Sequence, residues 1–205
     1  MSPEAPAAGK KLSRSQLRRR DDIIQASLKI FERDGFETAR MKDIAKEADV
    51  AKGTLYLYFD SKAALLEGVI ETAIIPTLRV IEETATTHDG TAEERLVNQI
   101  RITARRIASP EMKILVRYMM SGASGHERVT KFYYDNVIQN GRKLFKETLL
   151  YGVERGEFKE AAANIDPLVL FGANIYMVVW KNLFDKFSSI DIEKLVNDQL
   201  VISVS

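Results

Sequence analysis

The sequence predicts an all-α protein, in which a small N-terminal three-helix helix-turn-helix domain precedes a larger C-terminal helical bundle, about nine helices in total. Three observations predict this fold class. Apolar residues recur at the spacing of helix turns, as Ile24, Leu28 and Phe31 do. Glycine and proline stand where such patterns stop or begin, as Gly35 and Pro110 do. We find no alternating pattern of apolar and polar residues long enough to suggest a strand.

The first helices are short and follow one another closely. We predict them at residues 20–34, 41–48 and 52–59, and a short connection joins the last two. Two short helices joined by such a turn are typical of a helix-turn-helix. A fourth helix begins near Ser61 and runs into the 80s, and we expect a kink near Pro76 because proline breaks the helical hydrogen-bond ladder.

The third helix is crowded with aromatic residues, and its spacing separates core from surface. Leu55 and Phe59 lie four residues apart and share one face, which we assign to the core. The residues on the other flanks point away from that face: Gly53, Thr54, Tyr56 and Tyr58. A tyrosine offers a ring for apolar contact and a hydroxyl for a phosphate or a base edge.

Positive charge collects around this unit, although the net charge of the whole chain is only +1. Residues 10–20 hold six basic groups and no acidic group. Such an arm either keeps the chain soluble or contacts an anionic polymer, and the residues alone leave both interpretations open. Lys42, Lys52 and Lys62 each lie at or near a predicted helix start, where backbone N–H groups suit phosphate oxygens. These features favour DNA binding over a set of solvated charges.

The stretch from Arg20 to about Ala73 resembles the TetR family of bacterial transcriptional regulators. The resemblance is carried by an ungapped pattern over residues 28–66, LKIFERDGFETARMKDIAKEADVAKGTLYLYFDSKAALL. It implies DNA or phosphate contacts from Arg40, Lys42, Lys52, Gly53, Thr54, Tyr56, Tyr58 and Lys62. Two positions depart from the family pattern, because Ala39 and Ala51 stand where hydroxyl residues are usual. The resemblance further implies a palindromic operator and a helical C-terminal part that dimerises and often binds a small molecule.

The rest of the chain continues as helices. We predict them at about 91–108, 110–122, 127–155, 166–187 and 191–203. The expected domain organisation is a flexible basic arm at 1–18, a DNA-binding domain at 19–75 and a ligand-binding and dimerisation domain at 76–205.

Two sets of C-terminal residues are candidates for function. Methionine and aromatic residues suit an adaptable apolar cavity, although ordinary core packing is the simpler explanation for any one of them. The candidate pocket residues are Arg117, Tyr118, Met120, Phe132, Tyr133, Phe171, Asn174 and Met177. The last two helices are apolar enough to need cover, either from a second copy or from the chain itself. The candidate interface residues are Trp180, Leu183, Phe184, Phe187, Leu195, Val196 and Leu200.

Several classes of protein fit the sequence poorly. The absence of cysteine excludes disulfides and thiolate metal sites. The longest apolar stretch, residues 167–180, is too short for a membrane span, and no export signal occurs, so we expect a cytoplasmic protein. His88 and His126 lack partners at metal-ligand spacing, and we expect no enzyme activity, no metal and no cofactor. The expected partners are an operator in double-stranded DNA, a second copy and a small-molecule effector. The alternative is a helical adaptor that does not bind DNA.

Overall fold

The computed structural model describes residues 12–87, 90–107, 109–121 and 127–204. This part of the chain is helical and contains no strand. Its α-helices are α1 (Arg14–Asp34), α2 (Met41–Glu47), α3 (Lys52–Tyr58), α4 (Lys62–Val69), α5 (Ile75–Thr87), α6 (Ala92–Ile107), α7 (Pro110–Met120), α8 (Glu127–Tyr133), α9 (Gln139–Glu154), α10 (Leu168–Leu183) and α11 (Ile192–Val204). His88 and His126 lie outside the described residues.

Two pairs of these helices are continuous through a wider turn. A π-helical turn at Ile70–Ile74 joins α4 to α5, and another at Tyr134–Ile138 joins α8 to α9. Counting each pair as one helix gives nine long or short helices in the described residues, which confirms the predicted all-α fold. The disturbance expected near Pro76 is this first π-turn, in which the amide of Ile75 donates to the carbonyl of Ile70.

The first helix begins earlier than the sequence pattern suggested. Ser13 and Gln16 form a reciprocal capping box, in which the Gln16 amide donates to Ser13 Oγ at 3.3 Å and the Ser13 amide donates to Gln16 Oε1 at 2.9 Å. Residues 14–18, which we expected in a flexible arm, therefore belong to α1. Residues 1–11 of the predicted arm lie outside the described residues.

The N-terminal unit closes around an apolar core that α1, α2, α3 and α4 share. Ile23, Ile44 and Leu55 are fully buried in it, one from each of the first three helices. Gly68 lets α4 approach this core closely, because a Cβ there would lie 2.9 Å from the Phe59 ring and 3.2 Å from Ile24 Cδ1. The short helices α2 and α3 are thus stabilised by packing, because helices of their length are not stable on their own.

The C-terminal bundle is built around α6, which packs against α5, α9, α10 and α11. The amide of Gln99 on α6 donates to the hydroxyl of Thr148 on α9 at 2.8 Å, inside this bundle. The bundle also reaches the N-terminal unit, since α7 packs on α1 and α8 packs on α4. Within the described ranges, no helix has the length and apolar character needed to cross a membrane.

Candidate DNA-binding surface and ligand cavity

The third helix divides its side chains as the spacing predicted. Leu55 is 0% exposed and Phe59 is 4% exposed, which confirms both as core residues. On the other flanks Lys52 and Gly53 are exposed, and Tyr56 is 44% exposed. The ammonium of Lys52 lies 5.8 Å from the centre of the Tyr56 ring, so the two side chains form one basic and aromatic feature on the surface.

Thr54 and Tyr58 are half-buried and face the start of α1. They line a surface groove together with residues of α1 and of the turn between α2 and α3: Ser15, Gln16, Arg19, Asp49, Val50 and Ala51. The charge of the 10–20 segment left a contact with an anionic polymer as one of two interpretations, and the sequence did not show which side chains stand beside α3. Arg19 is exposed at this groove and extends the candidate surface beyond the predicted residues.

Arg40 and Lys42 lie exposed at the start of α2. Arg40 occupies the N-cap position of α2 and Ala51 occupies that of α3, and neither side chain caps its helix. Ala39, which precedes the first of these N-cap positions, is 4% exposed. Exposed basic side chains and helix starts without a side-chain cap therefore occur together at α2 and α3.

Lys62, in contrast, is engaged inside the protein. Its Nζ donates to the carbonyl of Phe36 at 2.6 Å and to that of Glu37 at 2.9 Å, and it lies 4.8 Å from the centre of the Phe36 ring. Burial lowers the pKa of this ammonium. The side chain ties the loop after α1 to the start of α4, so a phosphate contact from Lys62 stays a prediction.

An apolar cavity of about 340 Å³ lies inside the C-terminal bundle. Of the eight predicted pocket residues, four line it: Met120, Tyr133, Phe171 and Asn174. Burial raises the pKa of Tyr133 to about 12, so its hydroxyl is neutral at physiological pH. The volume falls in the range of small-molecule sites.

The other four predicted pocket residues do not line this cavity. Arg117 and Tyr118 line a shallow cleft between α1 and α7, where Tyr118 meets Phe36 edge-on with ring centres 4.5 Å apart. Phe132 and Met177 pack in the surrounding core without lining the cavity. A run of methionine and aromatic residues indicates which helices surround the cavity, but it does not show which side of each helix lines it.

Much of the cavity wall comes from the first π-turn and from α5, α6 and α7. These residues are Ile74, Thr77, Leu78, Ile81, Thr103, Arg106, Met112, Val116 and Met119. They share no motif, because each helix of a bundle contributes only one or two turns to a central space. The polar atoms among them are largely engaged within the protein, since Arg106 Nε donates to Thr77 Oγ1 at 3.0 Å and Thr103 Oγ1 donates to the Gln99 carbonyl at 2.8 Å.

An ion pair connects this bundle to the N-terminal unit. Arg128 on α8 donates from Nε to Glu67 Oε1 at 2.7 Å and from Nη2 to Glu67 Oε2 at 2.8 Å. Its Nη1 also lies 3.6 Å from Asp60 Oδ2, just before α4. A fork of this kind fixes orientation as well as distance, so α8 and α4 are held in one arrangement.

Helix α10 presents a wide apolar face to the outside. Large side chains are exposed along it and just after it: Leu168, Val169, Ile175, Tyr176, Leu183, Phe184 and Phe187. Trp180 is half-buried between Tyr176 and Phe184, and Leu195 is half-buried on α11. Val196 and Leu200, which were also predicted for the interface, are 5% and 6% exposed and pack inside the chain rather than on this face.

Comparisons with known proteins agree with this arrangement. The family model described as bacterial regulatory proteins, tetR family, matches residues 23–69. The fatty acid metabolism regulator protein of Bacillus subtilis is 26% identical over 138 residues, which is 67% of this chain and 70% of that protein. The HTH-type transcriptional repressor KstR of Mycolicibacterium smegmatis is 48% identical over 54 residues, 26% of each chain.

Solved structures show the same fold. The transcriptional regulator FadR from Bacillus subtilis in complex with stearoyl-CoA superimposes with a TM-score of 0.71, at 23% identity, covering 90% of this chain and 97% of that chain. The match to the family model and the exposed third helix concern the same residues, while the structural likeness extends over the C-terminal bundle. Residues 23–69 therefore match the tetR family of bacterial regulatory proteins, and the chain shares the fold of solved regulators such as FadR.

Proposed function

We propose that this regulator binds a palindromic operator as a homodimer, acts as a repressor, and is released or modulated by a small ligand with an apolar chain. The observation that carries the DNA-binding part is α3, where Leu55 anchors the helix while Lys52, Gly53 and Tyr56 are exposed. A two-fold dimer presents two such helices to successive major grooves, about 34 Å apart on one face of the duplex. The similarity to the KstR repressor supports repression as the direction of control.

The exposed apolar face of α10 supports the homodimer. Val169 is 74% exposed and Phe187 is 77% exposed, and several large side chains continue the same face. Contiguous apolar surface of this kind marks interaction sites on soluble proteins. Of the sequence-predicted residues, Trp180, Leu183, Phe184 and Phe187 remain candidates for the interface, with Leu195 at its edge. Sedimentation at micromolar concentration tests the proposal, and a monomer there contradicts it.

The cavity supports an apolar ligand. Its volume of about 340 Å³ corresponds to about a dozen non-hydrogen atoms, at about 30 Å³ each. One relative is named for fatty acid metabolism, and the FadR structure holds stearoyl-CoA. An acyl chain is therefore the ligand class that we propose, and a ligand that prefers one arrangement of the two units shifts the spacing of the recognition helices.

Selection of bound duplexes from a random pool tests the DNA-binding proposal most directly. We expect enrichment of an inverted repeat whose half-sites lie about one helical turn apart, and binding that weakens steeply as salt is raised. Enrichment of a single half-site would remove the dimer from the proposal. A pool without enrichment, and no salt-dependent binding of any duplex, would favour a helical adaptor that does not bind DNA.

A further inference from the structure

Asn174 places an amide in the wall of the apolar cavity. It lies on α10 between Phe171 and Val178, which line the same space one turn away on either side. The residue is 1% exposed, and neither its Nδ2 nor its Oδ1 has a hydrogen-bond partner within the protein. Because most buried polar groups in native proteins are paired, an amide with both ends unpaired needs an explanation.

Three neighbouring polar side chains of the cavity wall, in contrast, have partners within the protein. Thr77 accepts from Arg106, and Thr103 donates to a backbone carbonyl of its own helix. Arg106 Nη1 further lies 3.6 Å from Glu111 Oε2. Among the described residues that line the cavity, Asn174 is thus the one whose buried side-chain nitrogen and oxygen both lack a partner.

The chemistry of an amide indicates what suits it. Nδ2 donates and Oδ1 accepts, so a complementary group must accept and donate at one position. A hydroxyl or a carboxamide does both. A carboxylate only accepts and an ammonium only donates, so either one leaves one end of the amide unpaired, and a saturated chain leaves both ends unpaired.

We propose that the cavity selects ligands that combine an apolar chain with a neutral hydroxyl or carboxamide group placed against Asn174. This inference rests on the proposed function, in which the cavity takes an apolar effector. It adds specificity, because a site with buried polar groups discriminates strongly against an analogue that leaves them unpaired. An unsubstituted acyl chain enters the same cavity but binds more weakly.

The test uses dodecanoic acid and the series of monohydroxydodecanoic acids in which the hydroxyl moves along the chain. Affinities are measured by calorimetry on the full-length protein, on Asn174→Leu and on Asn182→Leu. Leucine resembles asparagine in shape and removes both polar ends. Asn182 lies two turns further along α10, outside the cavity wall, with Nδ2 bonded to the Val178 carbonyl, so it is the matched control.

We expect at least one hydroxylated acid to bind the unaltered protein about tenfold more tightly than dodecanoic acid. Asn174→Leu should abolish that preference, and it should raise the melting temperature of the free protein, because an unpaired buried amide has been removed. Asn182→Leu should keep the preference.

Two results overturn the inference. One is equal binding of dodecanoic acid and every hydroxylated acid by the unaltered protein, which leaves the apolar effector site standing. The other is a preference that persists in Asn174→Leu, especially with a lowered melting temperature, which assigns Asn174 a structural role. Binding of none of the acids to the unaltered protein overturns this inference together with the proposed acyl effector.

Discussion

A substitution at Gly53 should affect the predicted contact with DNA without lowering the stability of the protein. It is exposed in the first turn of α3, and a Cβ placed there meets no atom within 4 Å. Alanine favours helix over glycine by up to about 1 kcal/mol. Gly53→Ala should therefore keep or raise the free energy of unfolding in urea, while its added methyl group weakens operator binding measured by fluorescence anisotropy. Loss of stability, or unchanged affinity for the operator, would contradict the assignment of Gly53 to close approach of DNA.

Lys62 can be tested for its role in the same way. Replacing it by methionine removes two hydrogen bonds to the carbonyls of Phe36 and Glu37, which should lower the free energy of unfolding by about 1–3 kcal/mol. Because its ammonium faces those carbonyls, we expect the slope of log K against log salt for operator binding to stay unchanged. The exposed Lys42 is the control, since Lys42→Met should keep stability and reduce the slope by about 1. A reduced slope for Lys62→Met would restore its predicted phosphate contact.

The residues that sequence analysis placed correctly depend on local spacing. Leu55 and Phe59 are four apart on one short helix, so their shared face follows from helix geometry alone. The position of the Lys62 side chain, in contrast, depends on carbonyls 25 and 26 positions away in the sequence. The packing of Tyr118 likewise depends on a ring from the loop after α1. Periodicity reports which face of a helix is apolar, but not which partner covers it, and this is why half of the predicted pocket residues line the cavity and half do not.

At the scale of helices, the close approach of α4 to α1 and α3 depends on Gly68. A Cβ there would lie 2.9 Å from the Phe59 ring, which cannot turn away because Phe59 is buried. Gly68→Ala should lower the free energy of unfolding by about 1–3 kcal/mol through overpacking. Gly53→Ala is the matched control, since it adds the same methyl group where no atom is near. Equal stability of the two variants in urea denaturation would show that α4 can move aside at no cost.

The helices themselves could largely be predicted, whereas their junctions could not. Apolar spacing and capping residues are local signals, and they identified α2, α3, α6 and α7 to within about two residues. The capping box at Ser13 is also a local signal, but the basic residues around it favoured a flexible arm instead of a helix start. Pro76 explains the disturbance between α4 and α5, but the second π-turn at Tyr134–Ile138 contains no proline, and the sequence offers no local reason for it.

At the scale of the whole molecule, the proposed regulation by a ligand requires that binding in the cavity changes the position of α3. The cavity is lined in part by Tyr133, Val137 and Met120. Tyr133 is the last residue of α8, and Val137 lies in the π-turn that follows α8. The same α8 is tied to α4, the last helix of the N-terminal unit, through the forked ion pair between Arg128 and Glu67. A ligand that changes the position of α8 therefore acts on α4, whose N-terminal end follows α3 by three residues.

Arg128→Met tests whether this ion pair transmits the effect of the ligand. Methionine keeps an unbranched apolar side chain and removes the fork, so the variant should fold and bind the operator. Dodecanoic acid should then change its operator affinity less than it changes that of the unaltered protein, by a fraction of a coupling energy that is typically about 1–3 kcal/mol. Lys131→Met is the matched control, because Lys131 lies one turn further on α8 and pairs with Asp135 along its own helix. Titrations of operator with and without the ligand measure the coupling. The same loss in both variants would assign the effect to α8 as a whole, and full coupling in Arg128→Met would show that other contacts between the bundle and the N-terminal unit transmit it.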